Sequence, residues 1–245
     1  FYVDKKKWDL SPGYESNNLR MNRPITPKCL FCHNDLSTGI EGTLASYQGT
    51  FSIGISCDRC HGDGTKHVDY RMEGGIPEEG QPDPTIYNPK YASPGRQQQL
   101  CEQCHLQGRS RQLAVGQTWS HYDVRQPLHD YMTVFIEDSI ANDFGIASHA
   151  ARLQQSQCSK SKPLVCTQCH NPHQRSTPET YTDTCKGCHE SGCDEPKHVN
   201  GYCPECHMPK GTPSDIPHVT VSDHFIRVVR DSEKLDTVER KLVDP

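Results

Sequence analysis

The sequence predicts a mainly α protein with extensive coil and little or no β-sheet, folded around large groups that are not its own side chains. Only 33% of the 245 residues are hydrophobic and 7% are aromatic, against a usual apolar share of roughly 45–50% counted with Gly. A chain of this length should bury most of its surface, yet it has few side chains to bury. Eighteen prolines and 18 glycines interrupt any long helix or strand. Fourteen cysteines and 14 histidines accompany only four methionines and two tryptophans, so something other than disorder accounts for the missing core.

Twelve of the cysteines fall in one pattern, Cys-x-x-Cys-His, used six times. The sites are Cys29, Cys32 and His33; Cys57, Cys60 and His61; Cys101, Cys104 and His105; Cys166, Cys169 and His170; Cys185, Cys188 and His189; and Cys203, Cys206 and His207. At this composition chance supplies about 0.05 copies per chain. The pattern is the attachment site of c-type haem. Two thiols add across the vinyl groups of one porphyrin, the two-residue gap matches their separation, and the following His becomes the proximal iron ligand. Zinc ribbons also use Cys-x-x-Cys pairs, but zinc does not require a His after every second Cys. A disulfide framework leaves the same six His unexplained. Six haem c groups, large flat apolar bodies, then supply the core that the aliphatic side chains do not. The predicted fold is a wrapping around a stack of six haems.

Along the chain, residues 1–28 read as an N-terminal coil, with Pro12-Gly13, Pro24 and Pro27 as breakers. Residues 29–230 form the hexahaem domain. Successive proximal His are 28, 44, 65, 19 and 18 residues apart, so the last three haems are crowded and the interval from 105 to 170 holds the largest haem-free structure. Residues 74–95 are rich in Pro and Gly and read as a surface loop. A helix is expected from Gln97 to Gln107, carrying the third motif. A second is expected from Ile146 to Gln157, with Ile146, Ala150 and Leu153 near one face and His149 beside them. Residues 231–245 read as a C-terminal helix or linker, with Leu235, Val238 and Leu242 at helical spacing. They either pack as a terminal helix or join a downstream module.

Eight His remain for the second axial positions: His67, His121, His129, His149, His173, His198, His218 and His224. This exceeds the number that bis-His ligation throughout requires. His173 follows proximal His170 by three residues across Pro172, and His67 follows His61 beyond Gly62 and Gly64. Each is expected to serve a neighbouring haem rather than its own. His149, His198, His218 and His224 complete the predicted distal set, with His121 and His129 weaker candidates inside the haem-free interval. Met208, directly after His207, reads as packing. Cys158 and Cys193 are left over, and a disulfide between them is permitted outside the cytoplasm, where haem c is attached; free buried thiols are the alternative.

The polypeptide charge of −5 and the lack of a basic block beyond Lys5-Lys6-Lys7 argue against nucleic acid as a partner. No run of 18 apolar residues is present, so no transmembrane segment is expected. The chain opens on FYVDKKKWDL without Met, as expected of a processed product or of a chain with an upstream segment. The expected location is periplasmic or extracellular, after removal of a signal peptide.

The segments CHGDGTKH, CEQCHLQG, SHAARLQQSQC, CTQCHNPH and CPECHMPKGTPSDIPHVTVSDHFIR together resemble a group of bacterial multihaem cytochromes c. That group is related to the tetrahaem cytochrome that accepts electrons from hydroxylamine oxidoreductase, and its members are often joined to tetratricopeptide repeats. The likeness covers roughly Trp8 to Arg230, and the closing segment is its most specific part. The resemblance implies a periplasmic or surface electron carrier with closely packed, mostly bis-His haems, and His67, His149, His173, His218 and His224 as distal ligands. The chain departs from the group at its N-terminus, where relatives commonly carry further sequence, often with another haem motif; here no His precedes His33.

Electron transfer without bond chemistry is the expected function, because bis-His iron has no open position for a substrate. The partners are then redox proteins or further copies of the chain. One alternative is a subunit of an extracellular filament (a nanowire) or of a larger redox complex. Another is reduction of a small nitrogen compound at one open haem.

Overall fold

Prolines start the helices and keep them short. The computed structural model describes residues 1–3, 5–35, 38–49, 54–108, 110–120, 122–136, 145–190 and 201–229. Helix α1 (Pro27–His33) and helix α8 (Pro178–Lys186) open on proline, where the missing N–H costs nothing. The Thr177 hydroxyl caps α8 by accepting from the Thr180 N–H at 3.4 Å. Helix α2 (Asp58–His61) stops at Gly62, whose φ of 72° suits a residue without a Cβ. The other helices are α3 (Thr65–Met72), α4 (Pro94–His105), α5 (Leu128–Tyr131), α6 (His149–Gln155), α7 (Gln157–Ser161) and α9 (Cys203–His207).

Among the described residues, β-structure is limited to three two-stranded antiparallel pairs and an isolated bridge between Tyr2 and Lys7. Strand β1 (Thr38–Gly39) pairs with β2 (Tyr47–Gln48), β3 (Ser110–Leu113) with β4 (Met132–Phe135), and β5 (Lys210–Gly211) with β6 (Val221–Ser222). The mainly helical, coil-rich class read from composition is the class observed. No helix among the described residues is long and apolar enough to cross a membrane.

The chain divides into two units, the first made of Phe1–Leu19, His105–Gln107 and Glu137–Pro245, the second of Arg20–Cys104 and Gly108–Ile136. The second unit has a small core of its own: Phe31, Leu100, Tyr122, Val124, Leu128, Tyr131 and Met132. Phe31 stacks on Tyr131 with centroids 5.7 Å apart and meets Trp119 edge-on at 5.5 Å. Most of these residues come from 110–135, the region between the third and fourth motifs where haem-free structure was expected. The residue before the second Cys is buried in each of the first three motifs: Phe31, Arg59 and Gln103. The three touch, with the Arg59 guanidinium 4.8 Å from the Phe31 ring and Gln103 Nε2 donating to the Arg59 carbonyl at 3.2 Å. Three motif turns therefore meet back to back.

In the first unit the helix expected over 146–157 is shorter and broken. The Ile146 N–H donates to Asp215 Oδ1 at 2.8 Å and the Ala147 N–H to Gln107 Oε1 at 2.9 Å, so α6 begins at His149. Ser156 is extended, separating α6 from α7, and its hydroxyl accepts from the Ile226 N–H at 2.8 Å. The helix expected over 97–107 appears as α4, which starts three residues earlier at Pro94 and ends at His105. The 74–95 stretch is a largely exposed coil with one 3-10 turn at Pro89–Tyr91, and α4 begins before the stretch ends. The C-terminal segment 231–245 lies outside the described residues.

Candidate haem sites

Each motif forms one tight turn that brings its Cys and His together. The His is the last helical residue in α1, α2, α4 and α9. The remaining two motifs use the same closure without a full helix: the His170 N–H donates to the Cys166 carbonyl and the His189 N–H to the Cys185 carbonyl, both at 2.9 Å. A turn of this kind holds both thiols and the following imidazole near one another, as attachment through two sulfurs and ligation by the next residue require.

No described motif cysteine is in a disulfide. No three His, Cys, Asp or Glu side chains among the described residues cluster so as to hold a metal ion. Thiols of different motifs also approach each other. Cys32 hydrogen-bonds Cys104, which together with Arg111 holds the Cys32 thiol below its usual range while Cys104 is pushed up. Burial, then neighbouring Cys203, pushes the Cys185 thiol up to about 11.

Four histidine rings present Nδ1 to an acceptor. His61 donates from Nδ1 to the Tyr87 carbonyl at 2.8 Å, His207 to the Arg227 carbonyl at 3.1 Å, and His224 to the Ser222 carbonyl at 3.1 Å. His67 donates from Nδ1 to Asp83 Oδ2 at 3.1 Å. A carbonyl or carboxylate can only accept, so the proton sits on Nδ1, and Nε2 is the nitrogen that could meet a metal. Second partners of this kind fix the tautomer of metal-ligating histidines generally. His170 Nδ1 lies 3.2 Å from the Tyr181 hydroxyl.

Four histidines converge in the first unit. His105 meets His149 with centroids 5.1 Å apart, His149 meets His224 at 4.5 Å, and His224 faces His170 at 6.1 Å with planes inclined by 25°. Partial burial, followed by His224 and His105, lowers His149 to about 4, and burial lowers His224 as well. Both rings are thus neutral at pH 7, the form that donates a lone pair. His149 Nδ1 is buried with no hydrogen-bond partner among the described residues, an atom that costs about 1–3 kcal/mol where nothing satisfies it. The residues present therefore fit the group their sequence implies.

Beside this cluster sits a buried ionic group that the sequence did not disclose. Asp223 is fully buried and accepts from Arg152 Nε at 2.8 Å, from the Arg152 guanidinium terminus at 2.6 Å and from Arg227 at 2.9 Å. Burial alone would raise its carboxyl; the hydrogen bonds from Arg152, the Phe225 N–H and Arg227 overrule burial and hold it low. The available signals were slight: Arg152 lies three residues after His149, and Asp223 directly precedes His224.

The other predicted residues are placed as follows. His173 lies exposed in the turn after the fourth motif, its N–H donating to Asn171 Oδ1 at 2.9 Å. His218 is paired with Asp9. His129 is exposed beside Asp130, and Met208 caps the C-terminus of α9. His121, His198 and Cys193 lie outside the described residues, so the Cys158–Cys193 pairing has only one half described.

No protein-family model matches the chain, and no solved structure matches it. The chain is 25% identical to the multihaem cytochrome MtrA of Shewanella baltica strain OS185, in a match that covers 89% of this chain and 66% of the relative. The chain thus spans about two thirds of that relative's length. The likeness supports a multihaem c-type cytochrome. It does not reach the finer kinship with the hydroxylamine oxidoreductase partner or with the tetratricopeptide fusions.

Proposed function

We propose that this chain is an electron-transfer protein that carries six covalently attached c-type haems, most of them bis-His, and passes electrons along a closely packed series outside the cytoplasm. The observation that carries the reading is the repeated motif turn, combined with histidines whose Nδ1–H is bound to protein and whose Nε2 is left for iron. Bound haem supplies one-electron chemistry at iron. The chain's own residues attach, orient and shield: the motif cysteines fix each porphyrin edge, and His33, His61, His105, His170, His189 and His207 serve as proximal ligands. His67, His149, His173, His198, His218 and His224 are the proposed distal ligands. In the first unit the geometry favours pairing His170 with His224, whose rings face one another, and His105 with His149, whose rings meet edge-on.

A haem iron held by two histidine side chains would leave no position for a substrate, which favours a carrier over a reductase. The partners we propose are redox proteins or copies of this chain, in the periplasm or at the cell surface. Electron paramagnetic resonance of the oxidised holoprotein tests the reading. A spectrum dominated by low-spin ferric signals is expected, and His149→Ala or His224→Ala should each add a high-spin signal. A dominant high-spin signal in the unaltered protein would overturn bis-His ligation.

A further inference from the structure

We infer that Asp223, with Arg152 and Arg227, is a positioning and potential-setting centre for the irons served by His149, His224 and His207. The inference rests on the haem reading above. Arg152 stands one helical turn after His149 on α6, and Asp223 is the residue before His224. The two-point grip of Arg152 on Asp223, at 2.8 and 2.6 Å, therefore ties the helix bearing one distal ligand to the segment bearing the other. This holds the two rings edge to face at 4.5 Å. Ser156 closes the same seam from the far end of α6, accepting from the Ile226 N–H and donating to the His224 carbonyl at 3.3 Å.

Arg227 extends the group to a third histidine. Its side chain binds Asp223, and its backbone brackets His207: the Arg227 N–H donates to the His207 carbonyl at 3.1 Å, and the Arg227 carbonyl accepts from His207 Nδ1 at 3.1 Å. Both guanidinium groups lie over the Phe225 ring, at 5.3 and 4.5 Å. One carboxylate thus fixes three iron-facing imidazoles.

The charge of Arg227 gives the second half of the inference. Its guanidinium joins the buried Arg152–Asp223 pair in a chain whose formal charge is −5. Charge out of water acts over longer range than charge at the surface, and a fixed positive charge favours the reduced iron. The Arg227 guanidinium should therefore raise the potential of the iron beside it.

The test uses the fully haem-loaded protein and two measurements, a potentiometric titration and low-temperature paramagnetic resonance. Arg227→Gln removes that guanidinium charge and leaves the Arg152–Asp223 grip. At least one component of the titration should move to lower potential with the low-spin g-values unchanged, and Arg227→Lys should restore it. Arg152→Lys keeps the charge and loses the two-point grip, so the g-values of at least one low-spin component should change with little movement in potential. An unmoved titration in Arg227→Gln overturns the electrostatic role, and an unchanged spectrum in Arg152→Lys overturns the positioning role. His149→Ala and His224→Ala serve as controls; if neither yields high-spin iron, it is the ligand reading that fails.

Discussion

His218 donates from Nε2 to Asp9 Oδ2 at 2.5 Å, the reverse of the ring orientation at His67, where Nδ1 meets Asp83. The His218 backbone lies in the left-handed region, with φ of 59°, and Tyr2 contacts its ring edge-on at 5.0 Å. A non-glycine residue held there costs about 1–3 kcal/mol unless its surroundings fix it, and Asp9 and Tyr2 supply that fixing. With Nε2 taken, only Nδ1 remains for iron.

The first prediction follows from that geometry. His218→Ala should convert one low-spin iron to high-spin. Asp9→Asn should keep the iron low-spin and raise its potential, because the carboxylate that makes the imidazole more electron-rich is gone. If His218→Ala leaves every iron low-spin, the Asp9–His218 pair only fastens the N-terminal segment.

Haem number is the second prediction. Intact mass after acid–acetone extraction should equal the polypeptide plus six retained porphyrins, one for each motif. Replacing both cysteines of any one motif with alanine should remove one porphyrin and leave the others attached.

The third prediction concerns the second unit. Phe31 is 1% exposed, stacks on Tyr131 and lies under Arg59. Phe31→Ala should cost about 3–5 kcal/mol, the usual range for deleting a buried aromatic ring, and thermal unfolding followed by circular dichroism would read it. A loss below about 1 kcal/mol would mean that attachment, not this core, holds the unit.

Charge accumulation gives the fourth. The chain is already at −5, and each electron added to one haem raises the energy of the next on its neighbours. The reduction curve should be broader than that of a single site. Propionate protonation removes negative charge near iron and so favours reduction, which moves the curve to higher potential as pH falls. Titration at two pH values checks both; a single sharp wave unmoved by pH would place the haems far apart.

The motif turns were legible because each is made of contiguous residues at fixed spacing, as at Cys101, Cys104 and His105. The helical class was legible from prolines and composition, down to α4, where Pro94 set a start earlier than periodicity suggested. The α6 boundaries were not, because Asp215 and Gln107 take up the amides of Ile146 and Ala147 from 69 and 40 residues away. The tie from Arg152 to Asp223 spans 71 residues, and that from Asp9 to His218 spans 209. Local pattern carries no record of pairings at such separations. Which ring nitrogen meets the protein was hidden for the same reason, since distant partners such as Tyr87, Asp83 and Arg227 decide it.

The contact of Phe31, Arg59 and Gln103 bears on how the protein matures. Each of these residues sits between the two cysteines of its motif, so each attachment turn is also a wall of its neighbours' interior. If the motifs carry haem as proposed, a chain that had missed one attachment would leave that turn unanchored and expose the flanks of the two beside it. Partly loaded molecules would then be more open to proteolysis than fully loaded ones, and proteolysis would clear the incomplete product.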